Sequence, residues 1–148
     1  MKTVRKACAL VVRERKGRRE LLQLLHPETE PQMPKGGIEP DEAPLDGALR
    51  ELHEESGLTK VAHTRDLGLH SIVTPGGSLG DGPLERQDWY LFLITPDGDL
   101  PDKWTHCVEG DGEDRGLAYG FRWVPVDAQA PEAFHPLFRP AVERLLAL

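Results

Sequence analysis

The chain has 148 residues, with 25 acidic and 18 basic side chains and a formal net charge of −7 at pH 7. Such a charge disfavours broad nucleic-acid or anionic-membrane surfaces, which need basic patches, but permits anionic substrates where a metal ion inverts the local field. The apolar run at residues 7–12 is too short for a signal sequence or a membrane span. We therefore expect a cytoplasmic protein without a membrane partner.

The length predicts one domain covering residues 1–148, large enough to bury a substantial core. The two cysteines, Cys8 and Cys107, lack the spacing of a metal site. We expect both to be buried and reduced, as in a cytosolic protein, with a disulfide or a reactive thiol as the alternative.

Apolar patterns and turn residues divide the chain into strands around two helices. Strands are predicted at residues 3–13, 20–25, 61–74 (as one or two strands), 89–95, 104–108 and 121–126. Between them lie a Pro-rich connection at 27–37 and a flexible loop at 75–83, and a helix is predicted within 134–148. The run at 89–95 is nearly all aromatic and aliphatic, as in a central strand covered on both sides.

Aromatic and histidine side chains in these strands are expected to pack. Trp89 and Trp123 are predicted in the core. For Trp104, which borders a loop, both packing and stacking on a base stay open. His70 and His106 are expected to be packed or hydrogen-bonded.

The strongest helix signal begins at Pro44, which suits a first helical position, and ends before Gly57, which suits a left-handed cap. An apolar stripe follows the helical period, formed by Leu45, Ala48, Leu49 and Leu52. Three carboxylates share another face within one turn: Glu51, Glu54 and Glu55.

Like charges at this spacing repel, so a cation should offset the cost. Hard ions such as Mg²⁺ prefer oxygen ligands and are held by carboxylates together with substrate phosphates. The plainer alternative is a solvated acidic face. Arg50 lies four residues before Glu54 and either orients a carboxylate or forms an ordinary surface pair.

Residues 36–58, called the box below, are similar to the signature of the Nudix hydrolases, G-x5-E-x7-R-E-U-x-E-E-x-G-U, where U is a bulky aliphatic residue. All nine specified positions match: Gly36, Glu42, Arg50, Glu51, Leu52, Glu54, Glu55, Gly57 and Leu58. The resemblance implies an α/β fold, classed as α+β in some schemes. In this fold a mixed β-sheet lies between the box helix and a C-terminal helix.

The resemblance also implies divalent-metal-dependent hydrolysis of a phosphoanhydride bond in a nucleoside diphosphate linked to another moiety. The cofactor would be Mg²⁺ or Mn²⁺, with Glu54 and Glu55 as metal ligands and Glu51 as a ligand or a water-activating base. Arg50 would orient Glu51 or the box loop. Glu42 would be structural, pairing with Arg50, with direct metal contact left open. Further structural positions in the box are Leu52, Gly57 and Leu58.

Weaker candidates lie beside and outside the box. A backbone carbonyl at Gly36 or Gly37 can serve as a further metal ligand, and Lys35 can reach a substrate phosphate. Many members of the family use an acidic residue late in the chain, which points to Glu109 and Glu113. Glu85 is a third choice.

The leaving group stays open at this point. Nucleotide sugars, ADP-ribose and nucleoside triphosphates form one group of candidate substrates. Dinucleoside polyphosphates and diphosphoinositol polyphosphates form another, because Pro-Lys-Gly at residues 34–36 resembles the sequence before the box in hydrolases of those compounds. A non-catalytic nucleotide-binding module is the alternative from another class. The expected partner is a small phosphoanhydride substrate, and a homodimer is an option.

Overall fold

The computed structural model describes residues 1–77 and 79–148. These described residues form seven strands: β1 (Thr3–Arg15), β2 (Arg18–Leu25), β3 (Lys35–Gly37), β4 (Val61–Pro75), β5 (Leu84–Pro96), β6 (Trp104–Cys107) and β7 (Ala118–Pro125). The α-helices are α1 (Pro44–Ser56) and α2 (Arg139–Leu146). Two short 3₁₀ turns, Ala130–Ala133 and Pro136–Phe138, precede α2.

The strands form one mixed sheet in the order β4-β5-β1-β2-β7-β6, and β3 pairs with β1 beside this path. The pair β1–β5 is parallel, from Thr3 opposite Arg86 to Val11 opposite Ile94, and the other pairs are antiparallel. A parallel pair needs a crossover, which the box helix and β4 supply. β1 therefore lies in the centre of the sheet and pairs directly with β3, which contains the first residues of the box.

Two apolar layers cover the two faces of the sheet. Side chains of β1 alternate between them, so Ala7 and Ala9 join the layer beneath α1, whereas Cys8 and Leu10 join the layer beneath α2. The α/β/α sandwich with a mixed sheet between the two helices is as predicted. No helix in residues 1–77 or 79–148 is long and apolar enough to cross a membrane.

The box helix follows its predicted limits. It begins with Pro44, and Gly57 ends it with a left-handed φ of 78° while donating its N–H to the His53 carbonyl. Ala48 and Leu52 are fully buried, with Leu45 and Leu49 packed around them. Ala43, at the cap position, offers no side-chain hydrogen bond. Tertiary burial of the apolar stripe thus stabilises a helix with a weak N-terminal cap.

Several boundaries differ from the prediction. β3 was missed, because three residues with two glycines have no strand propensity and pair only through contact with β1. The C-terminal α-helix starts at Arg139 rather than near 134, since the prolines in this segment favour 3₁₀ turns first. Pro75, predicted in the loop 75–83, is the last residue of β4. The Gly82 N–H donates a hydrogen bond to the Gly76 carbonyl and closes the loop. Ser78, within that loop, lies outside the described residues.

Two further corrections concern side-chain burial. Cys8 is buried, but Cys107 is exposed, because β6 is the short edge strand of the sheet. Both thiols are free, as expected. Trp89 is fully buried, whereas Trp123 is only partly buried and donates its indole N–H to the Pro101 carbonyl. Trp104 stacks on Phe121, which favours packing over base stacking for this residue.

Candidate functional site

A polar cleft of about 580 Å³ opens between the N-terminal end of β1, the box helix and the loop that follows β6. Seven box residues line it: Gly36, Gly37, Glu39, Arg50, Glu51, Glu54 and Glu55. The other candidates also line it: Lys35, Glu85, Glu109 and Glu113. The structure therefore brings together residues that are up to 78 positions apart, from Lys35 to Glu113.

Arg50 is the centre of an ion-pair network on the box helix. Its Nε and Nη2 donate to the two carboxylate oxygens of Glu42 at 2.8 and 2.9 Å. Nη1 donates to Glu51 Oε1 at 2.9 Å and lies 3.5 Å from Glu54 Oε2, while Nη2 also reaches the Gly37 carbonyl at 2.8 Å. One guanidinium thus connects the box loop to Glu51 and Glu54, two of the three clustered carboxylates of the box helix.

Glu51 lies directly against the backbone of Gly36. A Cβ added to Gly36 would stand 2.0 Å from Glu51 Cδ and 2.3 Å from each carboxylate oxygen. Only glycine leaves room for this carboxylate. Burial raises the pKa of Glu51, although the hydrogen bond from Arg50 opposes the shift. Glu51 is consequently a stronger proton acceptor than a free glutamate.

Glu55 is the most buried acidic residue of the cleft, at 6% exposure. Its Oε1 accepts the backbone N–H of Lys35 at 3.0 Å, which ties the helix to β3. Burial raises the pKa of Glu55 well above its ordinary value, and the neighbouring Glu51 charge raises it further. A buried carboxylate beside a half-buried one favours a cation between them.

Glu54 faces the loop after β6. The Glu109 N–H donates to the Glu54 carbonyl at 2.9 Å. Gly110 has φ of 87°, and a Cβ there would stand 2.6 Å from Glu54 Cδ. This glycine therefore lets the loop approach the helix closely, beside a carboxylate.

The candidates outside the box differ in their surroundings. Glu109 pairs with His106 Nε2 at 3.1 Å, so His106 is hydrogen-bonded as expected. Glu85 accepts from the Gln87 amide at 2.9 Å. The Lys35 ammonium lies 4.4 Å from the Trp89 ring centroid and 5.1 Å from that of Phe138, and burial lowers its pKa to about 8. Its reach to a substrate phosphate stays a prediction.

The remaining box positions support the site from outside it. Leu52 and Leu58 are buried in the layer beneath the box helix. Gly57 forms the C-terminal cap, where a Cβ would stand 2.9 Å from His106 Nδ1. Glu42 pairs with Arg50 as expected.

Sequence reasoning missed other residues of the cleft, among them Lys2, Lys6, His26, Gln87 and Asp114. Lys6 lies on β1 and Lys2 directly before it, and their even spacing, which places both on one side of an extended chain, was present in the sequence. Asp114 accepts a hydrogen bond from the Tyr119 hydroxyl, a pairing that depends on how the loop folds back on β7.

Comparison with known proteins identifies the family. The family model described as the NUDIX domain matches residues 2–145. The chain belongs to the Nudix family. The predictions of this family, of its fold and of a hydrolase acting on pyrophosphate bonds are confirmed.

Relatives of this Nudix hydrolase include a protein of Rhizobium meliloti (strain 1021) named RNA pyrophosphohydrolase. It is 33% identical over 124 residues, covering 78% of this chain and 70% of the relative. A protein of the same name from Rhodopseudomonas palustris (strain BisB18) is 31% identical over 121 residues, covering 78% of this chain and 66% of the relative. The chain thus spans about two thirds of the length of these curated relatives.

Solved structures of similar fold include a C. elegans Ap4A hydrolase, at a TM-score of 0.63 and 18% identity, covering 97% of this chain and 96% of that one. The E. coli dihydroneopterin triphosphate pyrophosphohydrolase has a TM-score of 0.64 and 16% identity, covering 99% of both chains. At these identities the likeness concerns the Nudix fold alone.

Nudix hydrolases generally use divalent metal ions, and the donors in this cleft fit such an ion. The box helix supplies carboxylate oxygens, which are the ligands of hard cations. Glu55 is withdrawn from water and its neighbour Glu51 is partly so. A bound cation would compensate the burial and mutual repulsion of their negative charges. As the side chains stand, no three acidic, histidine or cysteine groups in residues 1–77 and 79–148 converge on one point. Arg50 accounts for part of this, because it attracts Glu51 and Glu54.

Proposed function

We propose that this Nudix hydrolase uses Mg²⁺ or Mn²⁺ to cleave a pyrophosphate bond in a triphosphate group attached to the 5′ carbon of a nucleoside or of an RNA end. The observation that carries the proposal is the placement of Glu51, Glu54 and Glu55 on one wall of the cleft. Oxygen-rich walls of this kind suit a divalent ion bridging to substrate phosphates.

In this proposal Glu54 and Glu55 hold the metal ion, with the Gly36 or Gly37 carbonyl as a further ligand. When bound, the ion neutralises phosphate charge and lowers the pKa of water. Glu51 is the proton acceptor for the attacking water or a further ligand, because burial raises its pKa towards the range of a useful base. Arg50 acts as a positioning residue, since it contacts Glu51 and the Gly37 carbonyl.

Glu109 and Glu113 are proposed as a supplementary ligand or base at the cleft mouth. Both line the cleft on the loop that touches the box helix through the Glu109 N–H. Because each is exposed, substrate binding would have to draw the carboxylate inward. We regard Lys35 as a support for the metal-binding wall, since its own N–H holds Glu55.

The substrate class rests on the relatives named RNA pyrophosphohydrolase. The net charge of −7 disfavours extended nucleic-acid contact. That argument does not apply to a substrate of which only the 5′ end enters the cleft. We also propose that residues 1–148 act as one domain, because both apolar layers share one sheet. A cytoplasmic location and a homodimer stay predictions.

The test is a product analysis with purified protein and Mg²⁺ or Mn²⁺. The panel contains nucleoside triphosphates, a short RNA with a 5′ triphosphate, the same RNA with a 5′ monophosphate, ADP-ribose, a nucleotide sugar, a dinucleoside tetraphosphate and a diphosphoinositol. We expect metal-dependent conversion of the triphosphate ends and no change in the monophosphate RNA. Exclusive cleavage of ADP-ribose, the nucleotide sugar, the dinucleoside tetraphosphate or the diphosphoinositol would overturn the substrate assignment.

A further inference from the structure

None of the nine Phe, Tyr and Trp side chains of the chain lines the described part of the cleft. Proteins that select a nucleobase commonly stack it on such a ring. The absence in this cleft is informative because all nine rings belong to described residues. It bears directly on which part of a nucleotide the site can recognise.

Each of these rings is occupied elsewhere. Six of them are buried: Trp89, Phe92, Tyr119, Phe121, Phe134 and Phe138. Trp104 stacks on Phe121 and donates to the Ser56 carbonyl. The Arg13 guanidinium lies over the Trp123 ring, 4.2 Å from its centroid. The Arg5 guanidinium lies over the Tyr90 ring at 5.2 Å. Recruiting one of them to a base would break existing packing.

Few other side chains of the described lining could form hydrogen bonds with a base, and most of these already have partners within the protein. His26 lines the cleft, but its ring packs 5.1 Å from that of Tyr119 and its side chain is 3% exposed. Gln87 uses its amide on Glu85 and its carbonyl on the Trp89 indole N–H. Gln32 is the other amide in the described lining, and a single amide without a stacking ring offers little selectivity.

The charged side chains of the cleft are arranged for phosphate. Lys6 lies on β1 and Lys2 directly precedes this strand, and both side chains line the cleft. Burial raises the pKa of Glu51, and the nearby Lys6 charge is among the groups that oppose this rise. Among residues 1–77 and 79–148, neither lysine forms an ion pair within 4.0 Å. Two unpaired cations therefore face the same cleft as the box carboxylates.

We propose that the cleft recognises the phosphate chain and not the nucleobase, with Lys2 and Lys6 binding phosphates that lie beyond the box carboxylates. The inference rests on the proposed function, and it narrows the substrate to triphosphate ends irrespective of the base. Phosphate contacts of this kind position a ligand without reading its sequence.

Binding measurements test the inference separately from turnover. Titration calorimetry with Mg²⁺ would use the imido analogues of ATP, GTP, CTP and UTP together with inorganic tripolyphosphate. We expect the four nucleotide dissociation constants to agree within about threefold, and tripolyphosphate to bind within about tenfold of them. Lys6→Gln should weaken all five ligands by about tenfold, as expected for one charge-assisted contact. Lys60→Gln, an exposed lysine outside the cleft, is the matched control and should change none of them.

Two results would overturn the inference: one nucleotide binding more than about tenfold tighter than the other three, or Lys6→Gln and Lys2→Gln both binding all ligands as the wild type does. Measuring hydrolysis of the same nucleotides distinguishes failure of this inference from failure of the proposed function. Base-selective cleavage of triphosphates would contradict the inference alone. Base-independent binding without any cleavage would contradict the proposed function and leave the phosphate recognition supported.

Discussion

Arg50 binds Glu42 through two parallel hydrogen bonds, from Nε to Oε2 at 2.8 Å and from Nη2 to Oε1 at 2.9 Å. Glu42 Oε1 also accepts the Glu39 N–H at 3.1 Å, so the pair fastens the loop before the box helix to the helix itself. The same guanidinium reaches Glu51. The pair therefore supports the shape of the loop and the position of a cleft carboxylate together.

Glu42→Gln should destabilise the protein in a pH-dependent way. The hydrogen bond from Arg50 holds the pKa of Glu42 below its ordinary value of 4.5. A depressed carboxyl pKa stabilises the fold above the unfolded-state value, and this contribution disappears as the pH falls through the folded-state value. We expect a loss of about 1–3 kcal/mol at neutral pH that shrinks below pH 4. Thermal melts between pH 3 and 8 measure it, with Glu143→Gln, at an exposed position of α2, as control. A loss that does not vary with pH would refute the ion pair as the cause.

Gly36→Ala should impair activity far more than Gly37→Ala. The new Cβ would stand 2.0 Å from Glu51 Cδ, whereas a Cβ on Gly37 meets nothing within 4 Å. Displacing Glu51 by about an ångström costs on the order of 100-fold in turnover. Both glycines belong to β3, so the pair isolates the contact with Glu51. Equal kcat values for the two variants, with unchanged melting temperatures, would show that Glu51 need not lie against Gly36.

Gly110→Ala and Gly116→Ala form a second matched pair. Their φ angles are 87° and 86°, so alanine is strained equally at both, but only at Gly110 does a Cβ meet a carboxylate, 2.6 Å from Glu54 Cδ. We expect similar losses of stability, on the order of 1 kcal/mol, in the two variants. Gly110→Ala should in addition raise the Mg²⁺ concentration needed for half-maximal turnover. If metal dependence were the same in both, the loop would have no influence on Glu54.

Glu55→Gln should stabilise the metal-free protein near neutral pH. Burial and the Glu51 charge raise the pKa of Glu55 well above 4.5, so the folded state holds this proton more tightly than the unfolded state. Stability therefore falls as the pH rises from about 4.5 through the folded-state pKa. A neutral Gln avoids that loss. Melts in a chelator should show a higher melting temperature for the variant at pH 7 and convergence with the wild type below pH 4. Magnesium should then raise the melting temperature of the wild type but not of Glu55→Gln.

Much of the box could be predicted from local chemistry. Pro44, Gly57 and the apolar stripe through Ala48 and Leu52 mark the two ends and the buried face of a helix in the local sequence. The Glu42–Arg50 pair also followed from the box resemblance. These features depend on residues close in sequence, where spacing on a helix fixes the neighbours.

Features that depend on contacts between residues distant in sequence were harder to predict. β3 exists because Gly36 pairs with Ala7, and Cys107 is exposed because its strand lies at the sheet edge. The cleft position of Lys6 follows from the parallel pairing of β1 with β5, which brings both strand starts to one end of the sheet. Such outcomes depend on topology, which the pattern of a single strand does not specify.

The central claim is that the box carboxylates are the metal-binding and catalytic wall of the cleft. The direct measurement is turnover of a triphosphate-ended RNA over a range of Mg²⁺ concentrations by the wild type, Glu54→Gln, Glu55→Gln and the exposed control Glu143→Gln. We predict that both box variants lose turnover by at least about 100-fold while still melting cooperatively, and that the control matches the wild type. Turnover like that of the wild type in both box variants, with the same Mg²⁺ dependence, would contradict the account.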